Sequence, residues 1–92
     1  MLAERELQEV GVVTHYFAKI SVAVVELKGT LSVGDRILVR GGVHPFTTNF
    51  EQIVESMQIE HKNVESASTG QSIGLKVKER VREGDKVYKV IS

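Results

Sequence analysis

The feature that most constrains this chain is the make-up of its aliphatic residues: fifteen Val and six Ile against four Ala, six Leu and two Met in 92 residues. Side chains branched at Cβ lose χ1 freedom in a helix and pack well on a pleated surface, so an all-β fold is expected. The eight glycines (Gly11, Gly29, Gly34, Gly41, Gly42, Gly70, Gly74 and Gly84) fall mostly between apolar runs and read as turn punctuation. Short strands separated by such signals suggest a barrel or a sandwich. The length allows one small domain, taken as spanning residues 1–92 with residues 1–8 expected to be loosely ordered.

Along the chain, Val10 to Tyr16 and Ile20 to Leu27 read as two strands joined by a tight hairpin through Phe17, Ala18 and Lys19. Leu31 to Asp35 form a turn into a third strand, Arg36 to Val39, which the Gly41–Gly42 pair closes. Lys86 to Ile91 reads as a further strand, and so does Ile73 to Val77, whose Ile73, Leu75 and Val77 alternate with Gly74, Lys76 and Lys78.

Phe46 to His61 admits two readings. Phe50, Ile53, Val54 and Met57 keep helical spacing behind a Thr48–Glu51 capping box, whereas a strand would use Ile53, Met57 and Ile59 on one face. Local pattern leaves the two readings level.

Two phrases echo each other at an offset of fifty positions: Val33-Gly34-Asp35-Arg36-Ile37 and Glu83-Gly84-Asp85-Lys86-Val87. In each, Gly tolerates a positive φ at a turn and Asp can hydrogen-bond nearby backbone before a strand begins.

With these phrases in place, the chain resembles the β-barrel that forms the second domain of translational GTPases of the elongation factor Tu type. The resemblance runs from Val10, Gly11, Val12 and Val13 through Val24, Glu26, Gly29, Leu31, Val33, Gly34, Asp35, Arg36 and Ile37. It resumes at Val54, Ser56, Met57, Gln58 and Ile59, continues through Val64, Ala67, Gly70, Gln71, Ile73, Gly74, Leu75 and Val77, and ends with Gly84, Asp85, Lys86 and Val87. It implies a closed antiparallel barrel of about six strands, in which Phe50 to Glu60 is one strand with Met57 and Ile59 inward and Gln52, Gln58 and Glu60 outward. The phrases His15-Tyr16-Phe17, Ser56-Met57-Gln58 and Gly84-Asp85-Lys86-Val87-Tyr88 are similar to stand-alone translation-factor-like proteins, and also to the small C-terminal barrel of collagenase-like peptidases. Both imply a barrel with no chemistry of its own.

The residues agree with a non-catalytic reading. No glycine stands in a phosphate-loop pattern, so GTP binding is not expected despite the resemblance. His15, His44 and His61 lack metal-ligand spacing, no serine sits in a Gly-x-Ser-x-Gly elbow, and cysteine is absent. No cofactor, nucleotide or metal is expected. Twelve Lys and Arg balance twelve Asp and Glu, which argues against adhesion to nucleic acid or anionic membrane by bulk charge. No apolar run approaches the roughly 20 residues of a membrane helix, and the acidic start does not read as a signal peptide, so a complete, soluble, cytoplasmic chain is expected.

Order matters more than the sum. Lys76, Lys78, Arg80 and Arg82 form an alternating basic row, with Lys86 and Lys89 beyond it, available to the phosphates of RNA or to a partner. The acidic stretch Glu51 to Glu65 lies elsewhere in sequence, so the order of charges admits two readings, two oppositely charged faces or a mixed solubilising surface. Tyr16 or Phe17 is expected to plug one end of the barrel. The loop Gly41 to Thr48, with His44 and Phe46, is a second contact candidate. The resemblance implies contact with tRNA or the ribosome; the alternative is a protein-interaction or substrate-positioning accessory working beside an enzyme such as a collagenase-like peptidase.

Overall fold

The branched aliphatics build strands throughout. The structure, a computed structural model, describes residues 6–42 and 47–91, and among these there is no helix. Ten strands follow in order: β1 (Leu7–Phe17), β2 (Val22–Leu27), β3 (Leu31–Ser32), β4 (Arg36–Gly41), β5 (Thr48–Ile53), β6 (Met57–Ile59), β7 (Lys62–Val64), β8 (Ser66–Ala67), β9 (Ser72–Lys76) and β10 (Lys86–Val90). Eight form one antiparallel sheet in the spatial order β5, β4, β10, β1, β2, β9, β6, β7, while β3 and β8 pair separately.

Period-two alternation sends Ala23, Val25 and Leu27 of β2, Ile73 and Leu75 of β9, and Ile37 and Val39 of β4 into one core. Strand β1 departs from that period. Its register slips between Glu9 and Gly11 and again between Val13 and His15, so Val10 and Val13 both reach the core. Gly11 is required between them, because a Cβ there would collide with Val25 Cγ1 and approach the Glu26 carbonyl to 2.9 Å. The first strand also begins earlier than Val10: Leu7 and Gln8 pair with Val90 and Lys89.

The six-stranded closed barrel is corrected here. The main sheet has eight strands, and its outer members β5 and β7 are not paired to each other. The expected single strand over Phe50 to Glu60 is divided at 54–56, and the helical alternative is absent. The cause is local. Val54 donates its N–H to the Asp35 carbonyl (2.8 Å) and accepts the Gly34 N–H (2.9 Å), so its backbone serves a turn and cannot extend the ladder. Met57 still faces the core, with Ile59 packed partly against it and Gln58 and Glu60 exposed.

A side chain stands where a further ladder would. Gln52 of β5 donates from Nε2 to the Lys76 carbonyl (2.9 Å) and accepts the Lys78 N–H on Oε1 (2.9 Å), reaching the end of β9. A Gln52→Ala variant is expected to lose about 1 kcal/mol, the net worth of such bonds at a partly exposed site. Amide exchange at Lys78 should quicken in that variant, with exchange in the β1–β2 ladder unchanged relative to global stability.

The repeated phrase is a repeated structure. Gly34 and Gly84 have φ of 98° and 92°. The Asp35 and Asp85 N–H groups donate to the Ser32 and Arg82 carbonyls, and each carboxylate accepts the N–H of the same residue, at 2.8 and 2.9 Å respectively. Each turn then docks on a buried valine. Gly84 donates to the Val13 carbonyl and Val13 to the Asp85 carbonyl, both at 2.8 Å, as Gly34, Val54 and Asp35 do at the other turn. The strands that follow, β4 and β10, pair antiparallel from Lys86↔Arg40 to Lys89↔Ile37. The fifty-residue offset carries Arg40 to Val90 and Lys86 to Arg36, the next pair in that register, so a local two-fold relates the two units.

Candidate binding surfaces

The basic row begins where β9 ends. Lys76 is its last residue, and the Lys76 ammonium donates to the Ile20 carbonyl in the turn after β1 (2.9 Å). Val77 and Val81 turn inward and are buried, leaving Lys78, Arg80 and Arg82 exposed in the loop that leads to β10. Lys78 borders a depression with Arg36, Glu51, Gln52 and Glu55. Arg82 donates its backbone N–H to Asp85. Lys76 and Lys78 therefore face different neighbours, one a hairpin turn and the other two carboxylates.

Charges of both signs are interleaved across the described surface, not sorted into an acidic and a basic face. Arg36 meets Glu51 at 3.7 Å, and Glu9 lies between Lys28 (3.4 Å) and Lys86 (3.6 Å). Lys89 reaches Asp35 at 3.5 Å, and His15 approaches Glu83 at 3.6 Å. Pairs this exposed contribute about 0–1 kcal/mol each, so their effect is to neutralise local potential more than to hold the fold. His44 and Phe46 lie outside the described residues. Among the described residues, no three His, Asp or Glu side chains come together as a metal-ligand set.

Tyr16 and Phe17 divide the roles expected of them. Tyr16 packs against the core, whereas Phe17 stays 47% exposed, with its ring edge-on to His15 at 4.4 Å. Phe17 belongs to an apolar surface that sequence reasoning missed. A groove on the outer side of the sheet is lined by Phe17, Ile20, Val22, Val24, Gln58 and Gly74, with Glu60, His61 and Ser72 at its border. Alternation predicts that Val22 and Val24 point away from Ala23 and Val25, which was the available signal. What alternation alone could not give is the neighbour: Gly74, outward between inward Ile73 and Leu75, pairs with both Val24 and Gln58 and leaves the valines uncovered.

A second outward cluster lies on β4 and β10. Leu38 is buried but separate from the main core, paired between Tyr88 and Glu51, and the Arg40 guanidinium sits 5.2 Å from the Tyr88 ring centroid.

No family model matches the chain. It is 46% identical over 80 residues, 87% of its length, to an uncharacterized protease of Methanocaldococcus jannaschii. It is 40% identical over 88 residues, 95% of its length, to a collagenase of Porphyromonas gingivalis. The chain spans about one fifth of the length of these relatives (19% and 20%). Among solved structures, it is similar to the C-terminal domain of a Geobacillus thermoleovorans protein assigned to the U32 peptidases. One structure of that domain has a TM-score of 0.79 at 24% identity, covering 89% of this chain and 91% of the domain. Its selenomethionine variant has a TM-score of 0.78 at 22% identity, covering 87% of this chain and 96% of the domain. These proteins carry peptidase names, so the expected kinship with the second domain of translational GTPases is not shown by them, and the RNA contact it implied is unsupported. The chain is homologous along nearly all of its length to one segment of collagenase-type peptidase proteins, and it has the fold of the C-terminal domain of a U32 peptidase protein.

Proposed function

We propose that the chain is a non-catalytic accessory β-domain that works with a collagenase-type peptidase by positioning substrate or contacting protein. The observation that carries this reading is the match of 87–95% of the chain to about one fifth of peptidase-family proteins. The surface supports it: the described residues offer an apolar groove bordered by charges of both signs. A domain of this kind changes how well substrate is held more than how fast bonds break.

Deleting the homologous segment from the P. gingivalis collagenase is expected to raise KM for collagen about tenfold with kcat within about twofold, and inserting the present chain in its place should restore KM. Unchanged KM after a deletion that leaves the remaining protein folded would refute the reading.

A further inference from the structure

We propose that the groove across the outer face of β2, β9 and β6 seats an extended polypeptide segment of about four residues, apolar in the middle, with a cation at one end and an anion at the other. Its floor is the missing side chain of Gly74 beside Val22 and Val24. One rim is the turn after β1, where Ile20 is 56% exposed; the other is the turn between β6 and β7, formed by Glu60 and His61.

Backbone strain points to the same place. Among the described residues, the non-glycine positions with left-handed backbone are Ser21 (φ 54°), Glu60 (φ 49°) and His61 (φ 67°), and all three lie in these two turns. Glu60 and His61 take it as the two-residue loop between Ile59 and Lys62, where Gly or Asn would cost less, so both rims are fixed tight turns.

Charge selects the occupant. At one end of the groove Ser72 and Glu60 both line it, and Glu26 is the β2 partner of Ser72. Lys76 pairs with Val22 at the other end, where Lys19 lies in the adjoining turn. Ser72 and Lys76 are four positions apart on β9, roughly 13 Å, which is also the span of four extended residues. An apolar segment with a base toward Glu26 and Glu60 and an acid toward Lys76 and Lys19 satisfies both ends. A nucleic-acid strand would bring phosphates against the two glutamates.

The test is amide chemical-shift mapping on the isotopically labelled full chain. The probes are end-blocked Lys-Val-Leu-Val-Glu, whose two charges lie four positions apart on one face when extended, its reverse sequence, and a control with Glu at both ends. Binding is expected from one of the first two, with shifts centred on Phe17, Ile20, Val22, Val24, Gly74 and Gln58 and reaching Glu26, Glu60 and Lys76 at the two ends, and with the control at least about tenfold weaker. Gly74→Val should weaken binding about tenfold by filling the floor, where an added Cβ meets Val22 Cγ1 at an ordinary 3.4 Å. Ile20→Glu, on an exposed turn, repeats the test if Gly74→Val disturbs the fold. The proposal is overturned by no shifts at millimolar peptide, by shifts on the β4–β10 face, or by concentration-dependent shifts at the groove without peptide, which would make a second copy the occupant. The groove gives the accessory reading a ligand class; since the isolated chain is titrated, a failed titration removes the groove alone, and the deletion experiment tests the accessory role separately.

Discussion

Leu75→Ala is expected to destabilise the domain by about 2–5 kcal/mol, the cost of a large-to-small change at a site that cannot collapse. Leu75 is fully buried and sits on the central run of β9, paired with Ala23 on one side and Met57 on the other. Ala23 is already small, so little neighbouring volume can move into the space left behind. A domain of this size has about 5–15 kcal/mol in all, so a loss at the upper end approaches global unfolding. Urea denaturation followed by far-UV circular dichroism should show a midpoint shift with unchanged slope. Val24→Ala, one strand over but facing the groove, is the comparison: it removes only partly exposed apolar surface and should cost about 1 kcal/mol or less. Equal losses at the two positions would contradict the inward and outward assignment of the sheet.

That assignment was largely legible in the residues. The alternation through Ile73, Leu75 and Val77 identified β9 and its buried face, and the hairpin of the first two strands was placed to within a few residues. The Gly-Asp phrases identified both turns because a positive φ and a side-chain acceptor are local requirements that a short motif can encode. The break at Val54 was not legible. It depends on backbone groups of Gly34 and Asp35, some twenty residues earlier, competing successfully for Val54, and no pattern within Phe50 to Glu60 records that. The Gln52 bridge was hidden for the same reason, since its partners lie 24 and 26 positions away. In the basic row, exposure followed from alternation. Lys76 and Lys78 nevertheless point to different neighbours, because the strand ends between them.

The local two-fold that relates the Gly-Asp turns makes a sharper prediction, since one motif is set in two environments. Asp85 is 2% exposed, while the Asp35 side chain is 28% exposed and lies 3.5 Å from the Lys89 ammonium. Removing the Asp35 carboxylate frees a Ser32 N–H that water can reach, so Asp35→Ala should cost about 1 kcal/mol or less. Removing the buried Asp85 carboxylate takes the acceptor from the Arg82 N–H and opens a void against Gly41, so Asp85→Ala should cost about 2–3 kcal/mol. Asp85→Asn keeps an acceptor and nearly the same volume, and should recover most of that difference. Gly41 supplies an independent check. Its hydrogen faces the Asp85 carboxylate so closely that an added Cβ would overlap Oδ1, and Gly41→Ala alone should be destabilising by about 1–3 kcal/mol. In the Asp85→Ala background the same methyl enters the void, so the two losses should fall short of additivity by about 1 kcal/mol or more in a double-mutant cycle read by urea denaturation. Strict additivity would mean that Gly41 and Asp85 do not share that space. Equal costs for Asp35→Ala and Asp85→Ala would mean that burial does not distinguish the two turns.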